Sequence, residues 1–312
     1  MIITEPPRRR FMGPLLALIA AIVMVGASFA IRQLVIEGDD DDSSSTTDTP
    51  SSDELSIVCA VELADVCARL DVGITLEPAG TTAAKIAAGD ELGYDAWVTF
   101  APMTSTVEPE GRTPLILAAR TDRAEVLTAH CGGTVTWTCI GEVAGEPWSA
   151  IGGEETWGDV KPAHADPVSS GVGRLVLGQA VASFLATEDF SLIDWQSNDA
   201  FPGWFQQLKQ GVPASAFAVN ADPFDAWLRQ RLAGFDIVAT TEAQAVTELA
   251  TVAPDLRDRV ALIYPAPVAT ADVVLAPLAG GDDPSALADD LRDALEAQNY
   301  RVDDAPPAGA PA

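Results

Sequence analysis

Basic residues are scarce in this chain: 18 lysines and arginines stand against 46 aspartates and glutamates, for a formal charge of −28. So acidic a surface repels phosphate backbones, and nucleic-acid binding is not expected. Histidine is rarer still, with His130 and His164 alone, which leaves little material for a metal centre. His130 abuts Cys131 and reads as structural. No G-x-S-x-G nucleophile elbow occurs. The glycine-rich stretch GVGRLVLG lies inside an apolar helical pattern and lacks the Lys-Ser/Thr of a phosphate loop. His164, Asp166 and Ser169 fall close together, yet triads are assembled in space from distant segments, so their proximity does not argue for a hydrolase. The chain is expected not to be an enzyme and to carry neither cofactor nor metal. No internal repeat is visible.

What is present begins at the N-terminus. Arg8, Arg9 and Arg10 precede residues 11–31, FMGPLLALIAAIVMVGASFAI, a run without a charge. It matches the ~20 residues that span a bilayer. Arginines before it and acids after it orient residues 1–10 toward the cytoplasm and the remainder outside. Ser28, Phe29 and Ala30 also allow a cleavage site, but signal h-regions usually run only ~7–15 residues, which favours an uncleaved anchor. No cysteine directly follows the run, so a lipid-attachment site is absent. Residues 32–54 form an acidic Ser/Thr/Asp linker with nothing to build a core, a solvated stalk. The aspartates at 39–42 lack the spaced ligands of a calcium loop. Residues 303–312 are disordered by composition. The expected localisation is the cell membrane, single-pass, with the C-terminal domain extracytoplasmic.

Four cysteines fit that compartment. An even count outside the cell implies disulfides, with three connectivities open. Cys59 and Cys67 are eight positions apart, as are Cys131 and Cys139, and the two local pairs are favoured. From Leu55 the chain alternates. LSIVCA, GITLE, DAWVTF and TPLILAA read as strands, and VELADVCARL, TTAAKIAAG and RAEVLTAH as helices, the order of a parallel sheet with crossover helices. The stretch after Cys131, rich in glycine and tryptophan, reads as irregular. A turn over His164 to Ser170 leads into a long apolar helix. The helical FPGWFQQLKQ and PFDAWLRQRL follow, then strand FDIVAT, helix TEAQAVTELA, and strands VALIYP and ADVVLAPLA. The last helix has Leu287, Leu291 and Leu295 spaced to face the core. The tryptophans read chiefly as core or loop anchors, those between Trp137 and Trp157 being the set that could also line a cleft for an apolar solute.

The stretch PAGTTAAKIAAGDELGYDAWVTFAP resembles the strand, small-residue turn, helix and Gly-x-x-x-Asp strand of bacterial solute-binding proteins. HADPVSSGVGRLVLGQAV is similar to their second ligand loop, GFDIVATTEAQA to their re-crossing strand and turn, and VALIYPAPVATADVVLAPL to their return strands. The resemblance covers residues 55–302 and is nearest to the type II, molybdate-binding-like group. It implies an α/β, two-lobe periplasmic-binding-protein type II-like domain after one N-terminal transmembrane helix. Lobe I takes residues 55–120 and 242–302, and lobe II residues 121–241, with crossings near Ala119 to Arg123 and Ala239 to Glu242. A ligand would sit between the lobes.

Physics makes that placement sensible, because ligands of open α/β sheets bind beyond the carboxyl ends of strands, where helix N-termini offer free N–H groups. The candidate ligand residues are Gly80, Thr81 and Thr82 at one helix start and Asp166, Ser169 and Ser170 at another. Thr240 and Thr241 stand at the hinge. Capping alone explains a threonine or serine at each start, and Asp166 is expected chiefly to order its own turn. The implied function is membrane-anchored capture of a small solute, an oxyanion being one fit, for an ABC-type transporter. The alternative is a degenerate solute-binding fold acting as a sensing or protein-interaction module in the cell envelope. The implied partners are the small-molecule ligand, an ABC permease or another envelope protein, and the membrane through the N-terminal helix.

Overall fold

The structure, a computed structural model, describes residues 55–104, 107–217 and 222–302. The chain divides into two units, Met1–Ser51 and Ser52–Ala312, and every described residue belongs to the second. The expected N-terminus, membrane span and linker (1–54) and the tail (303–312) lie outside the described residues. Among the described residues no helix is long and apolar enough to cross a membrane.

Strands β1 (Ser56–Ala60) and β3 (Ala96–Phe100) are the apolar runs SIVCA and AWVTF, buried along nearly their whole length. Such runs suit strands covered on both faces. β1 pairs in parallel with β3 and with β2 (Gly73–Glu77). Between these strands lie α1 (Ala64–Cys67), entered through a 3-10 turn at Val61–Leu63, and α2 (Ala79–Ala88). The expected parallel sheet then gives way to a mixed one: β8 (Thr270–Pro277) inserts between β3 and β4 (Pro109–Arg120), antiparallel to both. Local alternation reports how neighbouring strands are connected, and it carries no signal for a remote strand entering between them.

β4 changes partners midway. Its residues up to Pro114 pair with β8, whereas Leu115 to Ala119 pair with β6 (Ile237–Thr241) and Leu117 to Arg120 with β7 (Val260–Ile263). Pro114 has no N–H to donate, and the ladder switches there. The changeover precedes the crossing expected near Ala119, because β4 runs straight on to Arg120 before α3 (Thr121–His130) begins. β7 pairs with the half of β4 that also carries β6. With β5 (Pro162–Ala163) parallel to β6, the sheet order is β2-β1-β3-β8-β4-β6-β5.

The other helices are α4 (Trp137–Val143), α5 (Gly171–Leu185), α6 (Leu192–Gln196), α7 (Phe201–Gly211), α8 (Pro223–Arg229), α9 (Glu242–Thr251), α10 (Pro254–Arg257) and α11 (Ala288–Glu296). α4 forms where irregular chain was expected. Thr136 opens it, its Oγ1 accepting from Cys139 N at 3.1 Å. Both local disulfides are present, Cys59–Cys67 and Cys131–Cys139. Trp97, Trp137, Trp148 and Trp227 are core anchors, and Leu287, Leu291 and Leu295 are buried as their spacing predicts. One ion pair sits in the interior: Arg123 Nε lies 3.0 Å from Asp236 Oδ1, with side-chain exposures of 10% and 8%. The Arg123 guanidinium packs on the rings of Trp148 and Trp157, and Asp236 Oδ2 accepts from Lys161 N at 3.1 Å.

Candidate functional site

Strand ends and helix starts converge on a cleft cavity of ≈ 140 Å³. Its walls include Glu62 just after β1, Pro78 after β2, Ser169 and Ser170 before α5, Asp222 before α8, and Thr240 with Gln244 at the β6–α9 junction. This is where an α/β sheet presents free helix termini.

The start of α5 is built as its sequence predicts, with an unexpected addition. Ser170 is the buried N-cap, and its Oγ accepts from Gly173 N at 2.9 Å. The N–H of Gly171, however, donates to Glu62 Oε1 at 2.6 Å. A carboxylate from the other end of the sheet therefore occupies the positive end of the α5 dipole. The second oxygen, Glu62 Oε2, is buried and has no hydrogen-bond partner among the described residues.

The start of α2 departs from expectation. Its N-cap is Pro78 rather than a threonine, and the N–H groups of Thr81 and Thr82 both reach Pro78 O, at 2.9 and 3.3 Å. Ala79 and Gly80 thereby become the first helical residues. Thr81 is exposed, and the buried Thr82 hydroxyl donates to Glu77 Oε2 at 2.7 Å. Gly80 takes the contact role instead, donating its N–H to Ser169 O at 3.0 Å across the cleft. Any other residue there must displace the loop, since a Cβ at Gly80 would lie 1.9 Å from Val168 O.

At the β6–α9 junction, Thr241 caps α9 by accepting from Gln244 N at 3.2 Å, and the Thr240 hydroxyl donates to Gln244 Oε1 at 2.6 Å. Gln244 Nε2 donates in turn to Asp222 and to Glu248 Oε1. Asp222 Oδ1 caps α8, accepting from Phe224 N at 2.9 Å and Asp225 N at 3.1 Å. Burial pushes the Asp222 carboxyl above its ordinary range and that of Glu248 up to about 7. Among the described residues no lysine or arginine lines the cavity.

Of the residues singled out from sequence, Ser169, Ser170 and Thr240 line the cavity, whereas Gly80, Thr81, Thr82, Asp166 and Thr241 do not. Asp166 orders its own turn as expected, Oδ1 accepting from Val168 N at 3.0 Å. His164 Nδ1 donates to the carbonyl of Ala165 at 2.8 Å. Sequence reasoning missed Glu62, Asp222 and Gln244. An Asp-Pro cap at Asp222 was the one readable signal among them.

No family model matches the sequence, and no curated protein does. Solved structures do resemble it. The ferric binding protein from Campylobacter jejuni superposes with a TM-score of 0.54 at 7% identity, over 80% of this chain and 87% of that one. The sulfate-binding protein SubI from Mycobacterium tuberculosis H37Rv gives 0.49 at 14% identity, over 80% and 87%. The periplasmic binding protein AfuA from Actinobacillus pleuropneumoniae gives 0.48 at 14%, over 80% and 81%. The fold is therefore the α/β fold of type II periplasmic binding proteins. At these identities the likeness is one of fold, and the chemistry of the cleft must be read from its own residues.

Proposed function

We propose that the chain is a membrane-anchored, extracytoplasmic substrate-binding protein that captures a small solute in this cleft for an ABC-type transporter. The carrying observation is a cavity built from strand ends and helix starts of both parts of the sheet, in a fold that binding proteins share. The uncharged run at 11–31 behind three arginines and the two disulfides support the placement outside the cytoplasm. The quoted motifs support a position near the molybdate-binding-like group.

The cavity walls nevertheless favour a different ligand class from that group. Among the described residues Glu62 and Asp222 face the cavity and no cationic side chain does. An oxyanion at the α5 start would lie against the Glu62 carboxylate, a repulsion of about 4 kcal/mol at ~4 Å and an effective dielectric of ~20. A solute rich in N–H or O–H donors meets no such penalty. Thermal unfolding of the full chain against amines, polyols, amino acids and oxyanions tests this. A ligand at about a hundred times its dissociation constant adds ~2.7 kcal/mol. The expected hit is a donor-rich solute whose effect disappears in Gln244→Ala. Stabilisation by sulfate or molybdate instead would overturn the ligand class.

A second reading has its own support. The bonds from Glu62 to Gly171 and from Gly80 to Ser169 close the cleft with the protein's own groups. Under that reading the domain is a sensing or protein-interaction module of the envelope, and no small solute on the panel stabilises it.

A further inference from the structure

A second concavity lies outside the cleft, between α5, α7 and the loop 164–168. It measures ≈ 350 Å³, against ≈ 140 Å³ for the cleft cavity. Small-molecule sites run from about 300 to 1,000 Å³ and are mostly apolar with a few placed polar groups. Val176, Leu177 and Ala180 present one stripe of α5 to it, Phe205 and Leu208 one stripe of α7, and Trp137 a further wall. The indole N–H of Trp137 is already engaged by Gln179 Oε1 at 3.0 Å. These walls can hold an apolar body and offer it no hydrogen bond.

The polar groups stand at two places. On the loop side, the Asp166 carboxylate is turned into its own loop by the Val168 N–H, and His164 Nδ1 is bonded to Ala165 O. Burial holds the His164 imidazole below its ordinary pKa. On the α7 side stands Lys209, exposed, with Nζ 5.8 Å from the centroid of the Phe205 ring. Among the described residues Lys209 makes no ion pair, in a chain where acids outnumber bases 46 to 18. An ammonium held over an aromatic wall beside an apolar hollow matches a ligand with a negative head and an apolar body.

We propose that this pocket is a second binding site, for a small organic anion with an apolar body, its head paired with Lys209 and its body against Phe205, Leu177 and Trp137. The site is separate from the cleft but shares a loop with it. That loop gives Ala165, Ser169 and Ser170 to the cleft cavity and His164, Asp166, Pro167 and Val168 to this pocket.

The test is calorimetric titration of the full chain in detergent with 3-phenylpropionate, blanked against detergent alone, and with 2-phenylethylammonium for comparison. The site predicts that 3-phenylpropionate binds, that Lys209→Gln weakens it about tenfold, and that Leu177→Trp, which fills the hollow, abolishes it. Gln244→Ala in the cleft leaves it unchanged. Lys209 is a surface position, so Lys209→Gln and Lys209→Glu carry the test if Leu177→Trp fails to fold. Absence of binding at millimolar probe, tighter binding of 2-phenylethylammonium, indifference to the Lys209 variants, or loss in Gln244→Ala would each overturn the proposal.

Discussion

Removing the Glu62 carboxylate is the most informative single change to the cleft. In Glu62→Ala the Gly171 N–H at the start of α5 loses its acceptor, which now stands at 2.6 Å. A hydrogen bond to a charged group contributes about 1.5–3 kcal/mol, and a carboxylate at a helix N-terminus typically about 0.3–1 kcal/mol. Against this stands Glu62 Oε2, buried and without a partner among the described residues, an arrangement that costs about 1–3 kcal/mol and is relieved by the same substitution. The two effects partly offset, and a net loss of about 1–2 kcal/mol is expected, read as a lower urea midpoint with unchanged slope. Amide exchange at Gly171 should accelerate in step. Acetate or formate should then restore stability to Glu62→Ala and leave the native chain unaffected, because only the variant presents an empty helix start. Equal midpoints, unchanged exchange at Gly171 and no acetate effect would together refute the view that Glu62 occupies this terminus.

Three further outcomes follow from the geometry. Gly80→Ala puts a Cβ 1.9 Å from Val168 O and should cost about 1–3 kcal/mol as the loop gives way, measured by thermal unfolding. Arg123→Ala leaves Asp236 buried without its partner and should cost about 3–5 kcal/mol, the largest loss of the set, measured by urea denaturation. The raised carboxyl groups of Glu248, at about 7, and Asp222 bind their protons more tightly folded than unfolded. Their stabilising effect is full below the unfolded carboxylate pKa and is lost as pH rises toward 7. Glu248→Gln should flatten the pH dependence of the melting temperature between pH 5 and 8, and an unaltered slope would contradict the assignment.

Features that depend on local chemistry were legible in the sequence. The buried strands β1 and β3 announce themselves as apolar runs, Ser170 as a cap, and Leu287, Leu291 and Leu295 as one face of a helix. Equal spacing favoured the disulfide pairs that formed. Features that depend on remote partners were not legible. Nothing local in TADVVLAP says that β8 enters between β3 and β4. Thr81 and Thr82 look like caps because threonine is a good cap, but Pro78 starts the helix earlier so that Gly80 can meet Ser169. Glu62 is one acid among 46, and its role rests on a residue 109 positions away. Asp222 was readable as an Asp-Pro cap, yet its place in the cleft wall comes only from the packing of α8 against β6.

The Glu62 arrangement also bears on which solutes the cleft can accept. A helix start attracts negative charge whatever its source, and here a tethered carboxylate already meets that demand. Short tethers give effective concentrations on the order of millimolar, so a free oxyanion at micromolar levels competes at a disadvantage of roughly a thousandfold. Displacement would also move the carboxylate out of its place without a new partner. A donor-bearing solute has the opposite relation to Glu62. It carries no charge for the Glu62 carboxylate to repel, and Oε1 stays on Gly171. The same residue that disfavours an anion therefore leaves an uncharged donor-bearing solute unopposed. Glu62→Gln should accordingly ease the entry of sulfate by removing the repelling charge, and a variant that leaves sulfate no better bound than the native chain would break this argument.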